Sequence, residues 1–240
     1  MTPEIWVLCG TAATIAFVHT LMGPDHYLPF VAMAKSRDWS VARALRTTLV
    51  CGSGHIVGSV LLGFVGIYAS IQLNALEWIE GMRGDVAAWA LVSFGLVYMA
   101  WGLRRAYRNR PHAHWHRHGD LHHHHAHDHQ HDHAHTHSPD DLAENQRTFA
   151  GWAIFIVFVL GPCEPLIPIL MFPAAKESVV GLVAVTGVFA LVTVSTMLLA
   201  VAASLWGLRS FRLPSLARYS EAMAGGTITL CGLSIAVLGL

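Results

Sequence analysis

Three histidines and an aspartate stand where ionisable side chains are costly. His19, Asp25 and His26 close the first apolar stretch in "HTLMGPDHYLP", and His55 lies inside the second in "CGSGHIVGS". An ionisable group within a span is a functional hypothesis by default. His19, Met22 and His26 follow i, i+3, i+7 spacing and would share one face of a continuous helix, which the Gly23-Pro24 break loosens while keeping them close. Two or three imidazoles with one carboxylate suit nickel, cobalt or zinc; calcium and magnesium prefer oxygen ligands alone. The alternative is structural. Asp25 and His26 would then satisfy each other or nearby backbone and hold the kink, and His55 would be an ordinary hydrogen-bonded interior histidine.

A second group lies in "GPCEPLIP". Glu164 is a candidate ligand or proton carrier, and Cys163 is either a soft ligand or a buried packing residue. The third group is a tract. Fourteen of the seventeen histidines fall between His112 and His137, and its core contains His122, His123, His124, His125, His127, His129, His131, His133, His135 and His137. With Asp120, Asp128 and Asp132 interleaved, it offers many interchangeable nitrogen and oxygen donors. It is too polar to fold alone and reads as a flexible chelator, the alternative being a solvated low-complexity linker.

The elements that must carry these groups are membrane spans. The 240 residues are 54% hydrophobic and 12% charged, a membrane composition. Six spans are expected, near Ile5–Met22 with a continuation to Ala34, Leu45–Ile71, Val86–Leu103, Phe149–Pro173, Val179–Trp206 and Ala222–Leu240. The start "MTPEIW" lacks the basic region of a signal peptide, so the first span is expected to be retained. Cys9, Cys51, Cys163 and Cys231 lie in four different apolar segments and do not read as a disulfide framework. Of the 15 lysines and arginines, all but Arg83 and Lys176 fall in loops after spans one, three and five. The positive-inside rule then puts both termini outside the cytoplasm and the histidine loop within it.

Residues 104–148 separate two halves, 1–103 and 149–240, that carry a weak repeat: "GPDHYLPFVAMAK" against "GPCEPLIPILMFPAAK". Three spans per half give the copies opposite orientations, an inverted-repeat arrangement with its site where helices are broken. Pro24 and Pro162 lack an amide hydrogen, so the helix breaks there and frees carbonyls that must be buried or line a polar cavity. Trp6, Trp78, Trp101, Tyr107, Trp206 and Tyr219 suit interfacial anchoring, and Gly54 and Gly58 suit close helix packing.

His19, five residues, then Asp25-His26, followed by Gly54-His55 in the next span, resembles the nickel/cobalt permeases and urease-accessory-type membrane proteins of the lysine-exporter superfamily. There the first motif has four intervening residues and the second reads Leu-Gly-His-Ser-Thr-Val-Val; this chain keeps the Gly-His. The extra residue turns His19 by about 100° on an ideal helix. The resemblance implies an all-α, three-plus-three permease for a divalent transition metal, with Asp25, His26 and His55 as site residues, and the histidine-rich loop resembles that of efflux members. A transmembrane thiol-disulfide protein of the cytochrome-biogenesis type is the alternative within the superfamily, with Cys163 as one thiol, and a membrane-anchored metal reservoir is another. The expected partners are the bilayer, Ni2+, Co2+ or Zn2+ as cargo, a cytoplasmic metallochaperone and a second copy of the chain. No enzyme activity, resident cofactor or nucleic acid is expected.

Overall fold

The computed structural model describes residues 3–69, 71–108, 112–118, 121–127, 152–161, 163, 165–175, 178–208 and 214–238, with backbone alone at 112–118, 121–127, 172–175, 214–216 and 238. Pro3–Met22 forms α1, Leu28–Ser36 α2, Val41–Tyr68 α3, Leu73–Arg108 α4, residues 152–160 α5, Leu166–Ala175 α6, Val179–Gly207 α7 and Ser220–Leu238 α8. Five segments among the described residues are long and apolar enough to cross a membrane: α1, α3, α4, α7 and Ala217–Val237. Large apolar side chains such as Val97, Leu191, Leu199, Leu230 and Val237 project outward, as they do in a multi-pass, membrane-like helical architecture.

One expected span breaks where the sequence places its break, and another is longer than the sequence reading. The stretch Phe149–Pro173, expected as a span broken at its Gly-Pro, contains two shorter helices, α5 and α6, separated around Gly161. The third span, expected from Val86, belongs to a helix that starts at Leu73 and runs for 36 residues. At 1.5 Å per residue it is about 54 Å long, well beyond a hydrocarbon core of about 30 Å. Its first turns carry Glu77, Glu80, Arg83 and Asp85, whose charge hides the helix from a hydropathy reading. Arg83, assigned from sequence to a loop, is therefore a helical residue.

The broken segments share a spacing. Leu28 and Leu166 open α2 and α6, and Val41 and Val179 open α3 and α7, each pair 138 residues apart, as are Gly23 and Gly161. Ser40 and Ser178 cap α3 and α7 alike, each side chain accepting from the amide three residues on, Arg43 N at 3.2 Å and Gly181 N at 3.1 Å.

The most extensive interface joins α4 to α8, and its backbones nearly touch. A Cβ on Gly95 would lie 2.5 Å from Thr229 N, one on Gly225 2.6 Å from Met99 Cα, and one on Gly232 2.8 Å from Val92 N; Gly102 is as tightly packed against Ala222. Gly95 and Gly102, like Gly225 and Gly232, are seven residues apart, so each pair repeats on one helix face. Elsewhere α1 packs on α7, α2 on α8 and α7, and α6 on α4, α3 and α7. Gly54 and Gly58 do admit a close neighbour. Cβ atoms there would meet Val159 Cγ2 at 2.9 Å and Val159 O at 3.0 Å.

Within the histidine tract, expected to be a flexible chelator, the backbone pairs His112–His118 with Leu121–His127 as an antiparallel ribbon, His118 opposite Leu121. Gly119-Asp120 between them is of the composition that two-residue hairpin loops favour.

Candidate functional site

The break after α1 shapes one wall of a cavity. Gly23 has extended backbone at φ −84°, ψ 98°, and Pro24–His26 then form one 3-10 turn with Pro24 at its start. Proline there removes an amide and prevents the α-helical pattern from continuing. The turn buries His26 and leaves Asp25 partly exposed. His26 Nδ1 lies 3.2 Å from both Gly23 O and Asp25 Oδ1. A carbonyl only accepts, so Nδ1 carries the hydrogen. In the neutral ring, Nε2 is then the nitrogen with a lone pair.

His55 repeats this logic on another helix. It is the fifteenth of the 28 residues of α3, half-way along, and its Nδ1 lies 3.2 Å from Phe158 O near the end of α5. Again a carbonyl accepts and Nε2 is left open. The Nε2 atoms of His19, His26 and His55 are all buried, with no hydrogen-bond partner among the described residues. The rings stand edge to face, with centroids 5.0 Å apart for His19 and His26 and 5.4 Å for His26 and His55. The extra residue in the first motif does not separate His19 from His26, because the intervening chain leaves the ideal helix at Gly23.

Glycine at each break makes room for an imidazole. A Cβ on Gly23 would lie 2.6 Å from His26 Nδ1, and one on Gly161 3.1 Å from His55 Nδ1. Neither glycine has the positive φ that glycine alone tolerates; the requirement is space.

The three imidazoles and Asp25 line one cavity of about 400 Å³, walled by the end of α1, the 3-10 turn, α3, α4, α5 and Ile235 of α8. Asp85 of α4, exposed, adds a second carboxylate to its lining. The sequence reading missed it, although a carboxylate flanked by Gly84 and the apolar Val86-Ala87-Ala88 was a usable signal. Among the described residues, no three His, Cys, Asp or Glu side chains are grouped closely enough to hold a metal ion. The imidazoles form a row beside the cavity, not a closed shell.

Other sequence candidates lie elsewhere. Cys163 is fully buried with Cys9, Leu166, Leu170 and Phe189 and does not line the cavity; all four cysteines are free. Glu164 lies outside the described residues, as do His129, His131, His133, His135 and His137. His122, His123, His124, His125 and His127 lie on the ribbon, described by backbone alone.

Comparison of the chain with protein-family models, curated proteins and solved structures finds no match.

Proposed function

We propose that the chain is a permease for a divalent transition-metal cation, Ni2+ or Co2+ before Zn2+, exporting it across a cytoplasmic membrane. One observation carries this reading: two buried imidazoles and one half-buried imidazole beside one cavity keep a buried Nε2 open, while oxygen acceptors hold Nδ1 of two of them. Fixing one ring nitrogen to orient the other is how proteins present histidine to a metal. The spacing supports it too. With metal–nitrogen bonds of about 2.0–2.1 Å and tetrahedral angles, two coordinating imidazoles have centroids roughly 5.2 Å apart, against 5.0 and 5.4 Å in the two neighbouring pairs. In this reading the rings turn to bring their Nε2 atoms onto a shared cation, and a site that closes only around cargo can also release it.

The 138-residue spacing of helix starts, the matched serine caps, and the packing of α1 and α2 on α7 while α6 packs on α3 support two repeats of three spans. In each repeat the broken segment counts as one span. A site between such repeats is exposed alternately as one rocks against the other. The basic residues favour a cytoplasmic face for the tract, which would concentrate cargo and receive it from a metallochaperone. Metal binding needs neutral imidazole and ionised carboxylate, so proton counterflow is the natural coupling.

The test is cellular nickel, cobalt and zinc content by mass spectrometry with and without the protein. Export lowers the content of at least one metal; no change in any of the three ends the permease reading. If Asp25→Asn with His26→Ala leaves flux across sealed vesicles unchanged while deletion of 112–137 abolishes the cellular effect, the protein is a reservoir. Loss of activity in Cys163→Ser, with a reduced thiol as product, selects the redox alternative.

A further inference from the structure

A broken helix leaves carbonyls that a cation can use, and α5 ends with such a set. The last carbonyls of a helix have no intrahelical donors and carry the negative end of its dipole. Two are already taken. Arg83 of α4 donates from Nη2 to Val159 O at 3.0 Å and to Gly161 O at 3.2 Å. Its Nη1 meets the buried Glu80 carboxylate one turn away and Ser59 Oγ of α3 at 3.5 Å. Gly58 gives the guanidinium passage, since a Cβ there would lie 3.1 Å from Nη2. Between Val159 and Gly161 on one side and His55 on the other stands Phe158, whose carbonyl orients the imidazole.

We propose that Arg83 is a positioning residue for the cavity: by clamping the final turn of α5 against α3 and α4, it fixes the Phe158 carbonyl and thereby holds His55 with Nε2 presented for binding. The inference rests on the permease reading for its transport consequence but not for its structural one. A guanidinium suits the task because its planar fork reaches a carboxylate from one nitrogen and two carbonyls from the other; an ammonium is a point charge and cannot span both. The role of Glu80 is to aim that fork.

Three variants of the full chain in proteoliposomes test this: Arg83→Lys, Arg83→Gln, and Glu80→Gln with Arg83→Gln. Cobalt flux gives the half-saturating concentration and the maximal rate separately. Selective 15N-histidine labelling, with the His55 signals identified by their loss in His55→Ala, reports its tautomer. Positioning predicts that half-saturation rises about 10–100-fold, the range for losing a partner that orients a ligand, with a smaller change in maximal rate. It also predicts that the fixed Nδ1–H signature of His55 is lost in all three. The double variant buries no charge, so it recovers the thermal stability that Arg83→Gln loses, yet keeps the weak half-saturation. If it restores cobalt affinity together with stability, or if the His55 signals are unmoved, Arg83 is a structural ion pair and the proposal is wrong. If the wild-type chain moves none of cobalt, nickel and zinc, the permease reading fails, and the labelling result alone decides the positioning claim.

Discussion

Replacing Gly225 with alanine adds one methyl group at the tightest point between α4 and α8. That carbon would sit 2.6 Å from Met99 Cα and 2.7 Å from Gly95 O. Carbon atoms rest at about 3.5–4.0 Å, so the gap must open by roughly 1 Å. Every obstructing atom is backbone, so no rotamer change relieves the clash and the helices themselves must move. Overpacking a tight interior by one carbon costs about 1–3 kcal/mol. Gly187 on α7 is the internal control, since a Cβ there meets nothing within 4 Å. Alanine at that helical position should stabilise by about 0.5–1 kcal/mol. The two substitutions are chemically identical and share the helix-propensity gain, so they should differ by the overpacking cost, about 1–3 kcal/mol, with Gly225→Ala the less stable. Reversible unfolding in detergent or lipid, compared across wild type, Gly225→Ala and Gly187→Ala, measures the difference. If Gly225→Ala is as stable as Gly187→Ala, the α4–α8 contact is not a backbone-to-backbone seam and the heptad glycines need another explanation.

At the two breaks, Gly23→Ala should impair cobalt flux more than Gly161→Ala, because its Cβ would lie 2.6 Å from an imidazole nitrogen rather than 3.1 Å; equal flux in both variants and wild type would count against the space argument. His55→Leu should remove flux with a stability change within about 1 kcal/mol, since Phe158 O still accepts from Gly161 N at 3.1 Å, and calorimetry beside a flux assay separates the two effects. The tract's metal capacity should fall with acidity. Unperturbed imidazole titrates near pH 6.5 and protonated rings do not ligate, so cobalt bound in equilibrium dialysis should drop between about pH 7.5 and 5.5 in the full chain, and much less in a chain lacking 112–137.

The break at Gly23-Pro24 and the trio His19, His26 and His55 were legible because proline and intramembrane histidine are strong local signals. The structural alternative for these histidines is also present, but on one nitrogen only: Nδ1 of His26 and His55 is satisfied by backbone, while Nε2 is not. Sequence could not distinguish the two nitrogens of one ring. Glu80, Arg83 and Asp85 were missed for a physical reason. Hydropathy scores each residue against lipid, whereas Glu80 and Arg83 are paired and face other helices. Their i, i+3 spacing was available as a helical signal. The α4–α8 seam was also hidden, because its glycines lie on helices 130 residues apart in sequence and no local pattern announces a partner.

The capture of Val159 and Gly161 oxygens by Arg83 bears on what the end of α5 can hold. Sodium and potassium are held in proteins by rings of backbone oxygen that replace their hydration shell, and an unwound helix end is the usual source of such a ring. Here a tethered side chain already fills that role on α5. An alkali ion reaching this helix end would have to displace a guanidinium anchored to a buried carboxylate.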